Sequence, residues 1–447
     1  MLRKIRCKYL IEIIFNHLKN KKKLNILKYN KTFLSKINIT KEDFKVYDSL
    51  KEFNHRFNVE IKDIDITELD LSDINIGNIG LKYLKEMKFK YLKILDLSNE
   101  KESEGKERIN NKKLSSKLIS DIDVFEKFKF ENLESLYLSF NNISDIKVLQ
   151  RVNFKHLKEL YLTDNNISDM SILQKADFKE LKELYLTSNI IHDISVFKNV
   201  NFENLEILDL GFNKIIDIIG LQQANFKELH ELSLSGNEII NINIFEKTVF
   251  KKLITLDLSY NKISDINVLS VPQFENLIIL DLGFNKIEDI NIFSKVYFKK
   301  LEFLNLEYNE ISNINVLGKR IFDNLKILNL SDNHIEDISV FNMINFNNLE
   351  ELNLDSNQIS DINVLRNVNF GKVKILNLKN NRIDDISIFD SLNFKCLEKL
   401  NLENNKISDI KVLSMMKLEN LTYLNLNGNK ITYINVLEKV NFKKLEE

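Results

Sequence analysis

The sequence predicts an α/β solenoid, in which stacked coils carry a parallel β-sheet along one face and a small α-helical cap precedes them. Three observations carry the prediction. A frame of leucines, one asparagine and two isoleucines returns at one fixed interval, as from Asn141 to Asn165 to Asn189. The segment that opens each frame alternates apolar and polar residues. A phenylalanine stands three residues ahead of that segment in nearly every copy.

The period is exact over a long stretch. With Leu133, Leu136, Leu138, Asn141, Ile143 and Ile146 as template, the asparagine recurs as Asn165, Asn189, Asn213, Asn237, Asn261, Asn285, Asn309, Asn333, Asn357, Asn381, Asn405 and Asn429. That makes 13 units without an insertion. "LKELYL" at 157–162 has the alternation of a short, half-buried strand. Its next copy starts at Leu181, so neighbouring strands must be parallel and joined by a crossover. No coil can bury its own leucines; stacking makes one continuous core, and each buried side chain of this size contributes roughly 1.5–3 kcal/mol gross.

The asparagine answers a hydrogen-bonding need. Where the strand turns out of the sheet, buried N–H and C=O groups lose their ladder partners. A side-chain amide both donates and accepts, so one inward asparagine per coil can satisfy the turn and the coil beside it. An unsatisfied group there would cost about 1–3 kcal/mol. This column is expected to be a structural asparagine ladder. The phenylalanines at 130, 154, 178 and onward to 394 form a second inward column, interrupted at Leu418 and resumed at Phe442. Their apolar frame predicts a buried spine rather than a surface for stacking bases. The links, such as "SDINVLRNVNF" at 360–370, begin with capping residues and are expected to form one helical turn.

The ends depart from the frame. Ile66, Leu69, Leu71 and Leu92, Leu95, Leu97 read as two earlier units, with Ile74 and Glu100 in the asparagine place. A charged insertion near 99–116 delays the frame, which resumes at Ile119 and Ile122. At the far end "NFKKLEE" stops as a new strand would start, with no polar cap, so the last coil is expected to be exposed. The predicted organisation is a helical segment over 1–60 and a solenoid of about 15 repeats over 61–447.

Composition bounds the function. The chain is 447 residues, 44% hydrophobic, with Pro 1 and Gly 10, which argues against long loops and flexible linkers. Residues 1–60 carry 15 Lys and Arg against 6 Asp and Glu, while the totals are 64 against 65. The basic head is expected to be a solvated cap, with nucleic acid and membrane not favoured as partners. Cys7 and Cys396 are the only cysteines, too few and too far apart for a disulfide framework or thiolate zinc site. "MLRKIRCKYLIEIIFNHLKN" has Glu12 inside its apolar run and no small-residue cleavage site. An intracellular, cytoplasmic location is expected. The six histidines lack metal-ligand spacing, and no nucleophile elbow, P-loop or dinucleotide fingerprint is present. No catalysis, cofactor, metal or small-molecule substrate is expected; the partner is expected to be a protein of unknown identity.

The pattern L-x-x-L-x-L-x-x-N-x-I resembles the leucine-rich repeat family over about residues 61–447. The resemblance implies a curved horseshoe with a concave parallel sheet, on whose outward-facing strand residues a partner is recognised. The central column there runs Tyr137, Tyr161, Tyr185, Asp209, Ser233, Asp257, Asp281 and then six asparagines from Asn305 to Asn425. The column before the ladder asparagine holds Phe140, Phe212, Tyr260, Phe284 and Tyr308, and Phe303 adds another aromatic. Aromatics grouped on one surface are the usual anchors of protein interfaces. The expectation is that Phe212, Tyr260, Phe284 and Tyr308, with Asp209, Asp257 and Asp281, bind a basic-apolar segment; the asparagine stripe is expected to be solvated. "NxISDIxVL" is similar to phosphatase-regulator and internalin repeats. The segment 1–60 weakly resembles an F-box, through Leu10, Ile14, Phe15, Leu18 and Leu24. That resemblance implies docking to a ubiquitin-ligase adaptor, with the solenoid as substrate receptor. The internalin likeness implies instead a surface or adhesion protein.

Overall fold

The structure, a computed structural model, describes residues 41–87, 89–99, 118–128, 131–248, 250–296, 298–319, 323–344, 346–416, 418–440 and 444–445. Among the described residues the chain forms fifteen three-residue strands, parallel and in chain order within each unit. Two compact units divide the chain, Met1–Leu181 and Lys182–Glu447.

The first unit holds helix α1 (Lys41–Phe57), strand β1 (Glu68–Asp70), helix α2 (Gly77–Met87), then β2 (Ile94–Asp96), β3 (Ser135–Tyr137) and β4 (Glu159–Tyr161). Helix α1 caps the first coil through α2. Phe53 is fully buried, its ring edge-on to Tyr83 at 6.4 Å, and the Tyr83 hydroxyl donates to Glu52 at 2.8 Å. Leu69, Leu95, Leu136 and Leu160 stand opposite one another along the unit. Leu81, Leu84 and Met87 bury one face of α2, so the link of this first coil is a true α-helix rather than the single turn expected of the later links.

Beside the insertion Asn99, one residue off the frame, is buried and donates to the Asn141 Oδ1 at 2.8 Å, extending the row of amides. Phe89, also buried, is an earlier member of the phenylalanine column, missed because the insertion hides its spacing.

The second unit runs from β5 (Glu183–Tyr185) to β15 (Tyr423–Asn425), all in register through the middle leucines, as in Leu280 opposite Leu304 and Leu400 opposite Leu424. Each strand ends after three residues because the chain then turns out through a left-handed residue. The ladder asparagine closes that turn. Asn285 donates to the carbonyls of Leu258, in the preceding coil, and of Leu282, at 2.9 and 3.1 Å. Its Oδ1 accepts the Ile263 N–H at 3.0 Å. The same pattern recurs from Asn213 to Asn429, and the ladder asparagines are buried except Asn429 in the last coil, which is half-buried. Ile434 of that coil is exposed.

Links are short 3₁₀ turns, and their acids are caps. The Asp361 carboxylate accepts the Asn363 N–H at 2.8 Å, and Asp337, Asp385 and Asp409 do the same in their coils. Inside, Phe154, Phe178, Phe202 and their successors are buried where described. A second alternation has twice the basic period. Phe197, Leu221, Phe245, Leu269, Phe293 and Leu317 place a ring in every other link, and each ring meets the phenylalanine column edge-on, as Phe245 and Phe274 do at 5.8 Å. Large beside small fills the coil without overpacking.

Candidate functional site

A three-residue strand puts its middle leucine inward and its first and third residues on the opposite face. The third residue has a backbone duty that the period does not reveal. Asp209, Asp257 and Asp281 accept the N–H two residues on, at 2.8, 2.9 and 2.9 Å. Asn305, Asn329, Asn353, Asn377, Asn401 and Asn425 do the same at 3.0–3.2 Å. The asparagine stripe is therefore a set of turn caps. An amide does this work without charge, so aspartate at 209, 257 and 281 adds a charge that the turn does not require.

The residue before the ladder asparagine is left-handed in every coil from 138 onward, and most coils put Asp, Ser, Asn or Gly there. Phe140, Phe212, Tyr260, Phe284 and Tyr308 instead hold φ of 58°, 51°, 54°, 55° and 51°. A residue with a large side chain costs roughly 1–2 kcal/mol in that conformation. The last four belong to the second unit and form a row of rings. Tyr260 and Phe284 stack at 4.0 Å with planes 8° apart, and Phe284 and Tyr308 at 5.0 Å and 12°. Phe212 leans over Gly236 towards Tyr260, 6.4 Å away; a Cβ at Gly236 would lie 2.6 Å from that ring. Phe212 is 54% exposed and Tyr308 58%.

Between this row and the aspartates runs a floor of small residues, Gly211, Ser235, Ser259 and Gly283. A side chain at Gly283 would collide with the Asn305 amide, 2.7 Å from its Cβ position, which donates to Asp281 at 3.0 Å. On the other side lie Thr255, Ile279, Phe303 and Ile327, the first residues of their strands. Asp209, Asp257 and Asp281, with Phe212 on one side and Thr255, Ile279, Phe303 and Ile327 on the other, line a depression of about 660 Å³. Ile279 and Ile327 were missed by sequence reasoning, although first and third strand residues share a face and the same alternation points to them.

The depression is acidic, and four of its five acids lack cations among the described residues. None of Asp209, Glu231, Asp257 or Asp281 has an ion-pair partner among the described residues, whereas Lys326 at the rim is held by Glu302 at 2.7 Å. Burial pushes the Asp281 carboxyl up to about 6, helped by the charges of Asp257 and Glu307 and opposed by the Gly283 N–H and the Asn305 amide. Burial also raises Glu231, with Asp209, Asp257 and Glu183 adding repulsion.

The remaining predicted residues are placed as follows. In the first unit Tyr137 and Tyr161 stack at 4.6 Å, and the Tyr137 hydroxyl donates to Glu159 at 2.8 Å. Burial and the Glu159 carboxylate push that phenol up to about 12. Phe140 is half-buried in the same unit, and Tyr185 is half-buried in the second. Leu10, Ile14, Phe15, Leu18 and Leu24 lie outside the described residues. Among the described residues, no cluster of histidine, cysteine or acidic side chains suits a metal ion, and no helix is long and apolar enough to cross a membrane.

Identical coils stacked in register, each turned by one buried amide, define a repeat solenoid whose outward strand face carries the sequence variation. The family model "Leucine Rich repeats (2 copies)" matches residues 131–175, 155–199, 251–295, 323–367, 372–415 and 397–439, more than half of the chain, which belongs to the leucine-rich repeat family. Solved structures agree. An internalin (inlF) from Listeria monocytogenes is 25% identical, with 90% of this chain and 94% of that one covered and a TM-score of 0.54. A leucine-rich repeat protein of Leptospira interrogans is 23% identical over 85% and 90%, with a TM-score of 0.55. A plant peptide hormone receptor, RGFR1, solved in complex with RGF2, is 20% identical over 80% and 58%, with a TM-score of 0.57. No curated protein sequence matches the chain.

Proposed function

We propose that the chain is a non-catalytic scaffold that binds a protein partner on the strand face of its second unit, between Asp209 and Tyr308. One observation carries this reading. Four aromatic residues hold an unfavourable backbone conformation while their rings stand partly in solvent. Stacking of the rings roughly offsets the strain, so folding gains little net there over the serine, asparagine or glycine of other coils. Duplication accounts for Gly211-Phe212 and Gly283-Phe284, which share the segment DLGFNKI, but not for Ser259-Tyr260 and Glu307-Tyr308. Exposed rings grouped on one face are what an interface uses.

The test replaces Phe284 and Tyr308 by serine, which Ser188 and Ser356 show to be at home in this conformation. Partners captured by the wild-type chain from its native cell should be lost, while the chain stays folded with only a small drop in melting temperature from the lost stacking. Retention of every partner overturns the reading. The likeness to an internalin supports a second reading, a surface or adhesion protein. The scarcity of cysteine supports an intracellular one, and fractionation of the native cell separates them. The ubiquitin-ligase receptor reading rests on residues 10–24, and co-purification with an adaptor of that ligase decides it.

A further inference from the structure

The acidic depression suits one kind of ligand in particular. Its three aspartates carry charge that their structural duty does not need, since asparagine caps the same turn in six other coils. No cation of the described residues pairs with them. Their spacing is fixed by the sheet. Asp209 and Asp257 are two strands apart, about 9.6 Å, and Asp257 and Asp281 one strand apart, about 4.8 Å. A polyproline-II chain, with three residues per turn and a rise of about 3.1 Å, returns to the same face about 9.3 Å further on, so side chains three apart match the first interval. The second interval is one that a planar guanidinium, with donors on both edges, can bridge. Ile279, Phe303 and Ile327 form an apolar wall of the depression, with Phe212 at its edge, and the stacked rings of Tyr260, Phe284 and Tyr308 stand beyond the small residues Gly211, Ser259 and Gly283.

We propose that the acidic depression and the aromatic row beside it bind a peptide segment in the polyproline-II conformation, with two arginines three residues apart and apolar residues beside them. The segment runs across the strands. One arginine meets Asp209, and the other is shared by Asp257 and Asp281. The apolar side chains lie against Tyr260, Phe284 and Tyr308. This rests on the reading above, that the strand face of Asp209–Tyr308 is the binding surface.

The experiment uses the full chain and a display library of random peptides, followed by titration of short synthetic peptides carrying Arg-x-x-Arg, Lys-x-x-Lys, adjacent Arg-Arg or Glu-x-x-Glu. Selected peptides should be rich in Arg-x-x-Arg. That peptide should bind at least about tenfold tighter than the adjacent-Arg and Glu versions, more tightly than the Lys version, and more weakly as salt rises. Replacing Asp209, Asp257 and Asp281 together by asparagine should lower its affinity at least about tenfold without lowering the melting temperature. Peptides that depend on Phe284 and Tyr308 but lack paired arginines would overturn this inference while leaving the binding surface in place. Selected peptides indifferent to both sets of substitutions would overturn the two together.

Discussion

Two stretches of the second unit share one backbone and differ in what they do with it. From Asp209 to Tyr308 the turn caps are mostly charged, the left-handed position is mostly aromatic, and the capping aspartates stand without cations among the described residues. From Asn329 to Asn404 the caps are amides, and Asp332, Ser356, Asn380 and Asn404 fill the left-handed position. There the surface satisfies itself: Asn404 donates to Asn380 at 2.8 Å, Asn380 to Asp355 at 3.1 Å, and Lys379 meets Glu403 at 2.9 Å. The second stretch shows what the repeat needs in order to fold. Whatever the first adds beyond that is available for recognition, and it is added at a cost in stability.

The largest effect should ignore the difference. Asn285→Ala and Asn381→Ala each strip the same contacts, two buried carbonyls and one N–H per coil. Each should destabilise its region by about 3–5 kcal/mol, at about 1–3 kcal/mol per buried group left unpaired and with partial relaxation. Urea unfolding followed by circular dichroism, with hydrogen exchange to locate the loss, checks this. A mild effect at Asn285 beside a severe one at Asn381 would break the claim that the two stretches share a ladder.

Next in size is Asp281→Asn. The carboxyl is held near 6, above its ordinary 3.8, because ionisation in the buried site is unfavourable. Stability from the neutral form is complete below about 4 and is lost as pH rises through 6. At pH 7 the substitution should therefore stabilise the second unit by up to about 3 kcal/mol, since the shift is about two tenfold steps in proton affinity at about 1.4 kcal/mol each. At pH 4 the gain should nearly vanish. Equal melting temperatures for the two proteins across that range would remove the argument that Asp281 carries charge at a cost.

Much of this was legible in the sequence, for a definite reason. A period reports whatever every coil requires, and so it exposed the asparagine ladder and the phenylalanine spine. It failed where a position is set locally. Asn99 stands one residue off the frame beside the insertion. The helix Gly77–Met87 replaces a turn in a single coil. The cap made by Asp281 looked like a free outward side chain, because its bond to the Gly283 N–H leaves no mark on composition. The aromatics were noticed, but their left-handed backbone was not, since φ at Phe284 is set by the turn and not by the residue. The depression's acidity was visible only in part: Glu231 sits on a neighbouring column and joins Asp209 and Asp257 through the sheet.

The smallest effect is the most direct reading of the contrast. Phe284→Asn puts into the acidic stretch the residue that coils at 380 and 404 use, and Asn380→Phe makes the reverse exchange. Asparagine tolerates the left-handed region because its short side chain bonds locally, whereas a ring there crowds the backbone. The first substitution removes about 1–2 kcal/mol of strain but also two stacking contacts, at about 0.5–1.5 kcal/mol each. It should leave stability within about 1 kcal/mol of wild type, as those two effects oppose each other. The second adds the strain with no ring beside it, and breaks the amide bond from Asn404. Strain and lost hydrogen bond together should cost about 2 kcal/mol. Denaturant midpoints measured side by side give the answer. If Asn380→Phe is neutral, an aromatic in this conformation is free, and the row from Phe212 to Tyr308 no longer testifies to selection for a surface.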